Sequence, residues 1–199
     1  MNRCTRGKLT GMTLPLAFPF IGGRPCLNFV ATLGKRHGTP VERLPDPAAL
    51  AAWITEAELS AGTEPVRVTA RELTDARTLR EALYRVVRDA MAGREPAAAD
   101  VERVNEAAAR PDLAPQLGDR RWKSAHPARG ALATVARDGV LLVGSSLLER
   151  VKECENPECS LLFLDDSQAR RRRWCSMDRC GNLAKIAGYR SRSRAAVTE

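Results

Sequence analysis

The chain lacks the residue patterns on which most enzymes depend. It has only two histidines, His37 and His126, and neither has another histidine or a carboxylate at metal-ligand spacing. No nucleophile elbow, phosphate-binding glycine loop or dinucleotide-binding glycine motif occurs. The carboxylates Glu56 and Glu58 fit a solvated helix face better than an acid/base pair. We therefore do not expect an enzyme.

Long apolar runs are also missing, because no run approaches the roughly 20 residues that a membrane-spanning helix needs. The first residues combine basic side chains with an apolar patch, as in a signal peptide. However, Pro15 and Pro19 interrupt the patch, and no small-residue cleavage site follows. We expect a cytoplasmic protein without a membrane partner.

Aromatic residues are scarce, at 5% of the chain. Trp53 and Trp122 lie far from the most basic segment, which is where stacking against nucleic-acid bases would be useful. We interpret both as core or interface residues.

Cysteines, by contrast, form a regular pattern. Cys154 and Cys159 form a C-x4-C pair, and after fifteen residues Cys175 and Cys180 form a second one. Two such pairs are typical of a four-cysteine zinc site, and Asn156 would suit the turn that the first pair requires. Disulfides are the weaker alternative, because a reducing cytoplasm keeps thiols free.

Two cysteines stand apart from this pattern. We interpret Cys4 as a terminal thiol and Cys26 as a small buried hydrophobic residue. A thiol enzyme would need a cysteine outside the metal site with a base nearby, and only Cys26 is placed for that role.

Positive charge is concentrated at the end of the chain. The 199 residues carry a net charge of +8, and residues 167–199 alone hold nine Lys or Arg against two acidic residues. The preceding part is nearly neutral. The C-terminal segment is therefore the candidate anion-binding surface.

Apolar periodicity and caps predict a mainly helical N-terminal domain with few short strands. Gly22 and Gly23 precede a segment that fits either a strand or the start of a helix. The predicted helices begin after Asp46 and then span residues 69–92, 97–109 and 128–142, and Ser145 and Ser146 would cap a helical turn. Residues 119–124 fit a short strand.

The C-terminal segment predicts a small module of a β-hairpin and a helix. A strand at residues 160–164 would turn at residues 165–167 and pair with the arginine run, whose alternate side chains would then face opposite sides. The following helix would pack Leu183, Ile186 and Ala187 on the hairpin. The proposed nucleic-acid contacts are Arg170, Arg171, Arg172, Arg173, Lys185, Tyr189, Arg190, Arg192 and Arg194. Alternatively, the arginine run only keeps a solvated strand soluble.

The motifs GGRPCLNFVATL, TLREALYRVV, LFLDDS, RRRRWCSM and CGN, with the cysteine pairs, resemble the CGNR zinc finger joined to an N-terminal ABATE domain. These proteins are described as stress-induced transcription regulators of bacteria. The resemblance implies Zn²⁺ on Cys154, Cys159, Cys175 and Cys180, and DNA binding by the finger. Leu183 stands where the signature has arginine. Asn28 and Ala31 also replace the usual Asp and Asn.

These observations predict a transcriptional regulator with an N-terminal extension at residues 1–19, an ABATE-like domain at 20–145 and a zinc finger at 150–195. The N-terminal domain would serve in homodimerisation or in sensing a small-molecule effector. The alternative is a zinc-stabilised module that binds RNA or a protein partner.

Overall fold

The computed structural model describes residues 17–60, 65–111 and 126–187. The regular elements in this part are α1 (Pro25–Val30), β1 (Leu33–Gly34), β2 (Val41–Glu42), α2 (Pro47–Glu56), α3 (Ala70–Met91), α4 (Ala98–Ala108), α5 (Pro127–Val143), β3 (Val151–Glu153) and β4 (Leu162–Leu164). A 3-10 helix, Ser146–Arg150, joins α5 to β3. A π-helical turn, Met177–Gly181, leads into helical residues 182–187. The predicted N-terminal extension falls largely outside this part, and Cys4, Trp122 and the predicted strand at 119–124 fall wholly outside it.

Side-chain caps mark the starts of α2 and α3. The side chain of Asp46 accepts a hydrogen bond of 2.8 Å from the N–H of Ala49 at the start of α2. At the start of α3, Thr69 and Glu72 form a capping box, in which each side chain bonds the backbone N–H of the other residue. Gly93 ends this helix with a φ of +64°. The mainly helical fold predicted from the sequence is confirmed.

The remaining helices also lie close to the predicted positions. Helices α4 and α5 match the predictions for residues 97–109 and 128–142 to within one residue at each end. The hydroxyl of Ser145 accepts a hydrogen bond from the N–H of Leu147, as the predicted helical turn requires. The open choice for the segment after Gly23 is resolved in favour of a helix, α1, with Pro25 in its first turn.

One apolar core joins the helices to the second hairpin. Trp53 is fully buried, and its ring centroid lies 5.0 Å from that of Phe29. Helices α3 and α5 pack so closely that a Cβ at Gly139 would lie 2.5 Å from a methyl carbon of Leu83. The hairpin residues Val151, Leu162 and Leu164 belong to this same core. The C-terminal part that carries the four clustered cysteines, from β3 onward, is called the metal module below. It packs directly against the helical domain and is not merely linked to it by the chain.

The second hairpin differs from the one that the sequence predicts. Strand β4 pairs antiparallel with β3, with Val151 opposite Leu164 and Glu153 opposite Leu162. The arginine run forms no strand. The N–H of Arg172 bonds the side chain of Asp165, and Arg170 has a φ of 49°, so the run cannot adopt an extended ladder beside β4. The predicted pairing of residues 160–164 with the arginines is wrong.

Polar contacts also join the two parts of the chain. The N–H of Lys35 donates to the carbonyl oxygen of Cys159, and the N–H of Arg36 donates to Oγ of Ser160. Glu153 accepts from both Arg88 and His37. Because these bonds cross from α3 and the β1–β2 hairpin to the cysteine loop, they orient the module on the helical domain. Among the described helices, none has the length and hydropathy that crossing a membrane requires.

Candidate metal centre and basic surface

The first cysteine pair lies in the loop of the second hairpin. Cys154 follows β3, and its N–H bonds the carbonyl oxygen of Leu161, which extends the hairpin by one pair. Asn156 closes the turn, because its carbonyl oxygen accepts from Cys159 N–H and its side-chain oxygen accepts from Glu158 N–H. This turn directs both cysteine side chains to the same buried cluster.

The second pair is held by a tight helical turn after the arginine run. The hydroxyl of Ser176 caps this turn by accepting from the N–H of Arg179, and Cys180 lies inside it. Gly181 lies against Met177 and Trp174, because a Cβ there would lie 2.5 Å from the sulfur of Met177 and 3.3 Å from Trp174, so a larger residue would displace the Met177 side chain. The π-helical geometry thus places Cys180 beside Cys175.

The four sulfur atoms form a compact group that fits zinc. The Sγ atoms of Cys154, Cys159, Cys175 and Cys180 lie within 4.8 Å of one another, and all four residues are buried. Two Sγ···Sγ distances, Cys159 to Cys175 and Cys175 to Cys180, are 3.6 Å. Zn–S bonds of about 2.3 Å in a tetrahedron require sulfur separations of about 3.8 Å. The cofactor that fits this donor set is Zn²⁺.

The protonation of the group explains why it needs a cation. A hydrogen bond from the Cys175 thiol lowers the pKa of Cys159 to about 5. The same contact raises the pKa of Cys175 far above its usual range, and burial raises that of Cys180 to about 11. One thiolate therefore suppresses ionisation of its neighbours. Zn²⁺ removes this conflict by stabilising four thiolates together, and four protein ligands leave no open position for catalysis.

Asp165 organises the chain between the two cysteine pairs. Its buried carboxylate accepts hydrogen bonds from Nζ of Lys152 at 2.7 Å, from the N–H of Arg172 and from Ser167. Burial by itself would raise the pKa of Asp165, but these bonds outweigh it and hold the pKa well below its usual range. Lys152 also donates to the carbonyl oxygen of Arg170. The arginine run is thus held by hydrogen bonds to the Asp165 carboxylate and to Lys152 instead of by a neighbouring strand.

The four arginines of the run differ in their contacts. Arg172 turns inward, where its guanidinium lies 4.6 Å from the ring centroid of Phe163 and donates to the carbonyl oxygen of Cys175 at 2.6 Å. Arg173 pairs with Glu155 at 2.5 Å. The exposed side chains of Arg170 and Arg171 have no partner among the described residues. The prediction that alternate arginines of the run face opposite sides is wrong. Arg172 and Arg173, which have partners, are neighbours, and so are Arg170 and Arg171, which have none among the described residues.

The last helical residues are more exposed than expected. Leu183 is 59% exposed and Ile186 is 48% exposed, and Ala187 is exposed as well. The prediction that these residues pack on the hairpin is wrong, because a packed apolar face would be buried. Lys185 is exposed. The remaining predicted contacts, Tyr189, Arg190, Arg192 and Arg194, lie outside the described residues.

Several residues that shape this region were not identified from the sequence. Asp165 was interpreted as part of a turn, although an acid between an apolar strand and an arginine run could have indicated its role. Lys152 and Arg179 gave no signal beyond their charge. Arg43 belongs to the nearly neutral part of the chain, yet burial and the charge of Arg179 lower its pKa. Only the folded chain brings Arg43 next to the cysteines.

Comparison with protein families gives two matches. The ABATE model, described as "Putative stress-induced transcription regulator", matches residues 23–146. The CGNR zinc finger model matches residues 150–193 and contains all four clustered cysteines. A comparison with curated protein sequences gives no significant match.

Proposed function

The chain belongs to the ABATE family of transcription regulators and carries a CGNR zinc finger, and from this we propose that its C-terminal module binds DNA. Zinc has a structural role in this proposal. It holds the hairpin loop, the end of the arginine run and the start of the last helical segment together, so that their cations share one module.

The observation that carries the proposal is a set of exposed cations whose side chains have no partner among the described residues. Within residues 126–187, this set consists of Arg170, Arg171, Arg179 and Lys185. A cation that is already paired must break that pair to bind a phosphate, whereas a free one loses only hydration and side-chain entropy. Arg172 supports the fold, so we propose Arg170 and Arg171 as the phosphate contacts of the run.

The proposal is tested by comparing two double variants in the zinc-loaded full chain. Arg170→Gln, Arg171→Gln removes two free cations, and we expect the slope of log K against log salt to fall in magnitude by about 1.8. Arg172→Gln, Arg173→Gln removes the same charge from engaged positions and should mainly lower stability. Binding is measured by fluorescence anisotropy on duplex DNA, and stability by urea unfolding.

Selection from random duplex DNA would then identify a target sequence, because phosphate contacts alone do not specify one. Equal and negligible effects of both double variants on DNA binding would contradict the proposal. Tighter binding to single-stranded or folded RNA in the same assay would instead favour the alternative of an RNA-binding module.

For the N-terminal domain we propose homodimerisation or the sensing of a small-molecule effector. Exposed apolar residues on α5 support homodimerisation, since Leu141 is 66% exposed and Val140 is 42% exposed. Sedimentation equilibrium of the full chain and of Leu141→Glu tests this, and a monomeric wild type would contradict it. We place the protein in the cytoplasm, where reducing conditions preserve a thiolate zinc site.

A further inference from the structure

A pocket of about 150 Å³ lies between the N-terminal domain and the zinc module. Its walls include the metal-site residues Cys159 and Cys180. Lys35 and Arg43 reach it from the β1–β2 hairpin, and Arg179 reaches it from the π-helical turn. At about 30 Å³ per water molecule, the volume would hold about five waters, which is enough for a phosphate group.

Among the lining side chains other than the metal ligands, cations outnumber carboxylates. Lys35, Arg43 and Arg179 face a single acidic lining residue, Glu158. Glu158 lies 3.3 Å from Nζ of Lys35, and both side chains are at least half exposed, so this pair holds the lysine only weakly. Apart from the charge of the metal site itself, the side chains that line the pocket therefore carry a net positive charge.

Arg43 is partly buried and makes few hydrogen bonds of its own. Its Nε is buried without a hydrogen-bond partner among the described residues, and its Nη1 makes only a long bond of 3.4 Å to the carbonyl oxygen of Val41. Arg179 has no side-chain partner in the same part of the chain. Because both arginines line the same pocket, an anion in it could accept hydrogen bonds from both guanidinium groups.

We propose that this pocket binds a phosphate group and that, in the DNA complex, a backbone phosphate occupies it. Arg43 and Lys35 then make the N-terminal domain part of the DNA interface, although its overall charge is nearly balanced. The DNA part of this inference rests on the proposed function. The competing explanation is that Arg43 and Arg179 only balance the charge of −2 that four thiolates and Zn²⁺ carry.

The test uses the zinc-loaded full chain with two probes, inorganic phosphate and duplex DNA. Arg43→Gln and Arg179→Gln should each weaken DNA binding about five-fold at 0.15 M salt and reduce the magnitude of the salt slope by about 0.9. Leu183→Arg adds a cation to the pocket wall and should strengthen binding by a similar factor. Arg71→Gln, an exposed arginine on α3, is the matched control and should change nothing.

Inorganic phosphate should shift the backbone amide resonances of Lys35, Arg43 and Arg179, and Arg43→Gln should abolish the shifts. If the wild type binds phosphate in this way but not DNA, the pocket stands as a site for free phosphate compounds and the proposed function fails. If the chain binds DNA and Arg43→Gln does not weaken it, the pocket proposal fails alone, because Arg179 also belongs to the exposed cations of the proposed DNA surface. Loss of zinc from both variants with unchanged anion binding would support charge balance and overturn the proposal.

Discussion

The helical domain and the metal module reach stability in opposite ways. The helical domain buries large apolar side chains such as Trp53, Phe29 and Leu83, and two of its helices, α2 and α3, begin at capping residues. The module has strands of three residues each and a small buried cluster that consists largely of its four cysteines. Where apolar burial is extensive, secondary structure follows periodicity, and where it is small, a metal and polar contacts must replace it.

The two parts nevertheless depend on each other. The module contributes Val151, Leu162 and Leu164 to the main core, and the helical domain contributes Ala31 and Ile21 to the cluster around the cysteines. Stability is therefore divided between metal binding and shared burial. Variants that remove one contribution at a time measure this division.

Removing the metal should have the largest effect. The Cys175→Ala, Cys180→Ala double variant should lose zinc, because two ligands cannot replace four, and structural sites of this kind contribute about 10–16 kcal/mol of binding free energy. We expect the module to unfold while far-UV circular dichroism retains most of the helix signal. Metal analysis of the purified variant provides the check, and full zinc loading would contradict the ligand assignment.

Truncation measures the shared burial. We expect residues up to 145 to fold alone, but with lower stability than a fragment that ends at residue 166 and keeps the hairpin. Full burial of an aliphatic side chain contributes about 1.5–3 kcal/mol. Losing Val151, Leu162 and Leu164 should therefore lower the free energy of unfolding by at most roughly 4–9 kcal/mol. Urea unfolding of the two fragments tests this. Equal stabilities would mean that the domains are independent.

Asp165→Asn tests how much the hydrogen bonds and ion pair of the Asp165 carboxylate stabilise the arginine run. Loss of the buried charge leaves Lys152 unpaired, and we expect a loss of about 3 kcal/mol at pH 7. Asp166→Asn is the matched control, because Asp166 is 61% exposed and its pair with Arg150 should contribute less than about 1 kcal/mol.

The pH dependence of the Asp165 effect has a definite sign. Since folding depresses the pKa of Asp165, its stabilisation is complete above the unfolded pKa of about 3.9 and declines as the pH falls below that value. The difference between wild type and Asp165→Asn, measured by urea unfolding from pH 7 to pH 3, should therefore shrink toward low pH. A difference that grows on acidification would contradict this role.

A local cap should have the smallest effect. Thr69→Ala removes the hydroxyl that accepts from Glu72 N–H, and we expect a loss of about 1 kcal/mol. Thr74→Ala, at an exposed position in the second turn of α3, is the control, because alanine has the higher helix propensity and no cap is lost. Thermal unfolding of both variants decides whether the cap matters, and identical midpoints would show that tertiary packing alone sets the start of α3.

The helices could be predicted from the sequence because their signals are local. Asp46, Thr69 and Gly93 act on backbone groups within a few residues, and the apolar spacing of α3 determines which face it buries. The zinc site was equally predictable, since Cys154 and Cys180 belong to two pairs whose spacing already satisfies a tetrahedral metal. In both cases short-range geometry restricts the possible structures.

The contacts between distant segments were decided only by the tertiary structure. Strand β4 pairs with β3 rather than with the arginine run, because Asp165 binds the N–H of Arg172. Of the four adjacent arginines, two engage protein groups and two have no partner among the described residues. No local pattern in the sequence distinguishes the two pairs. The approach of Arg43 to Arg179 likewise depends on how the two domains pack, because electrostatic interactions follow distance in space rather than separation along the chain.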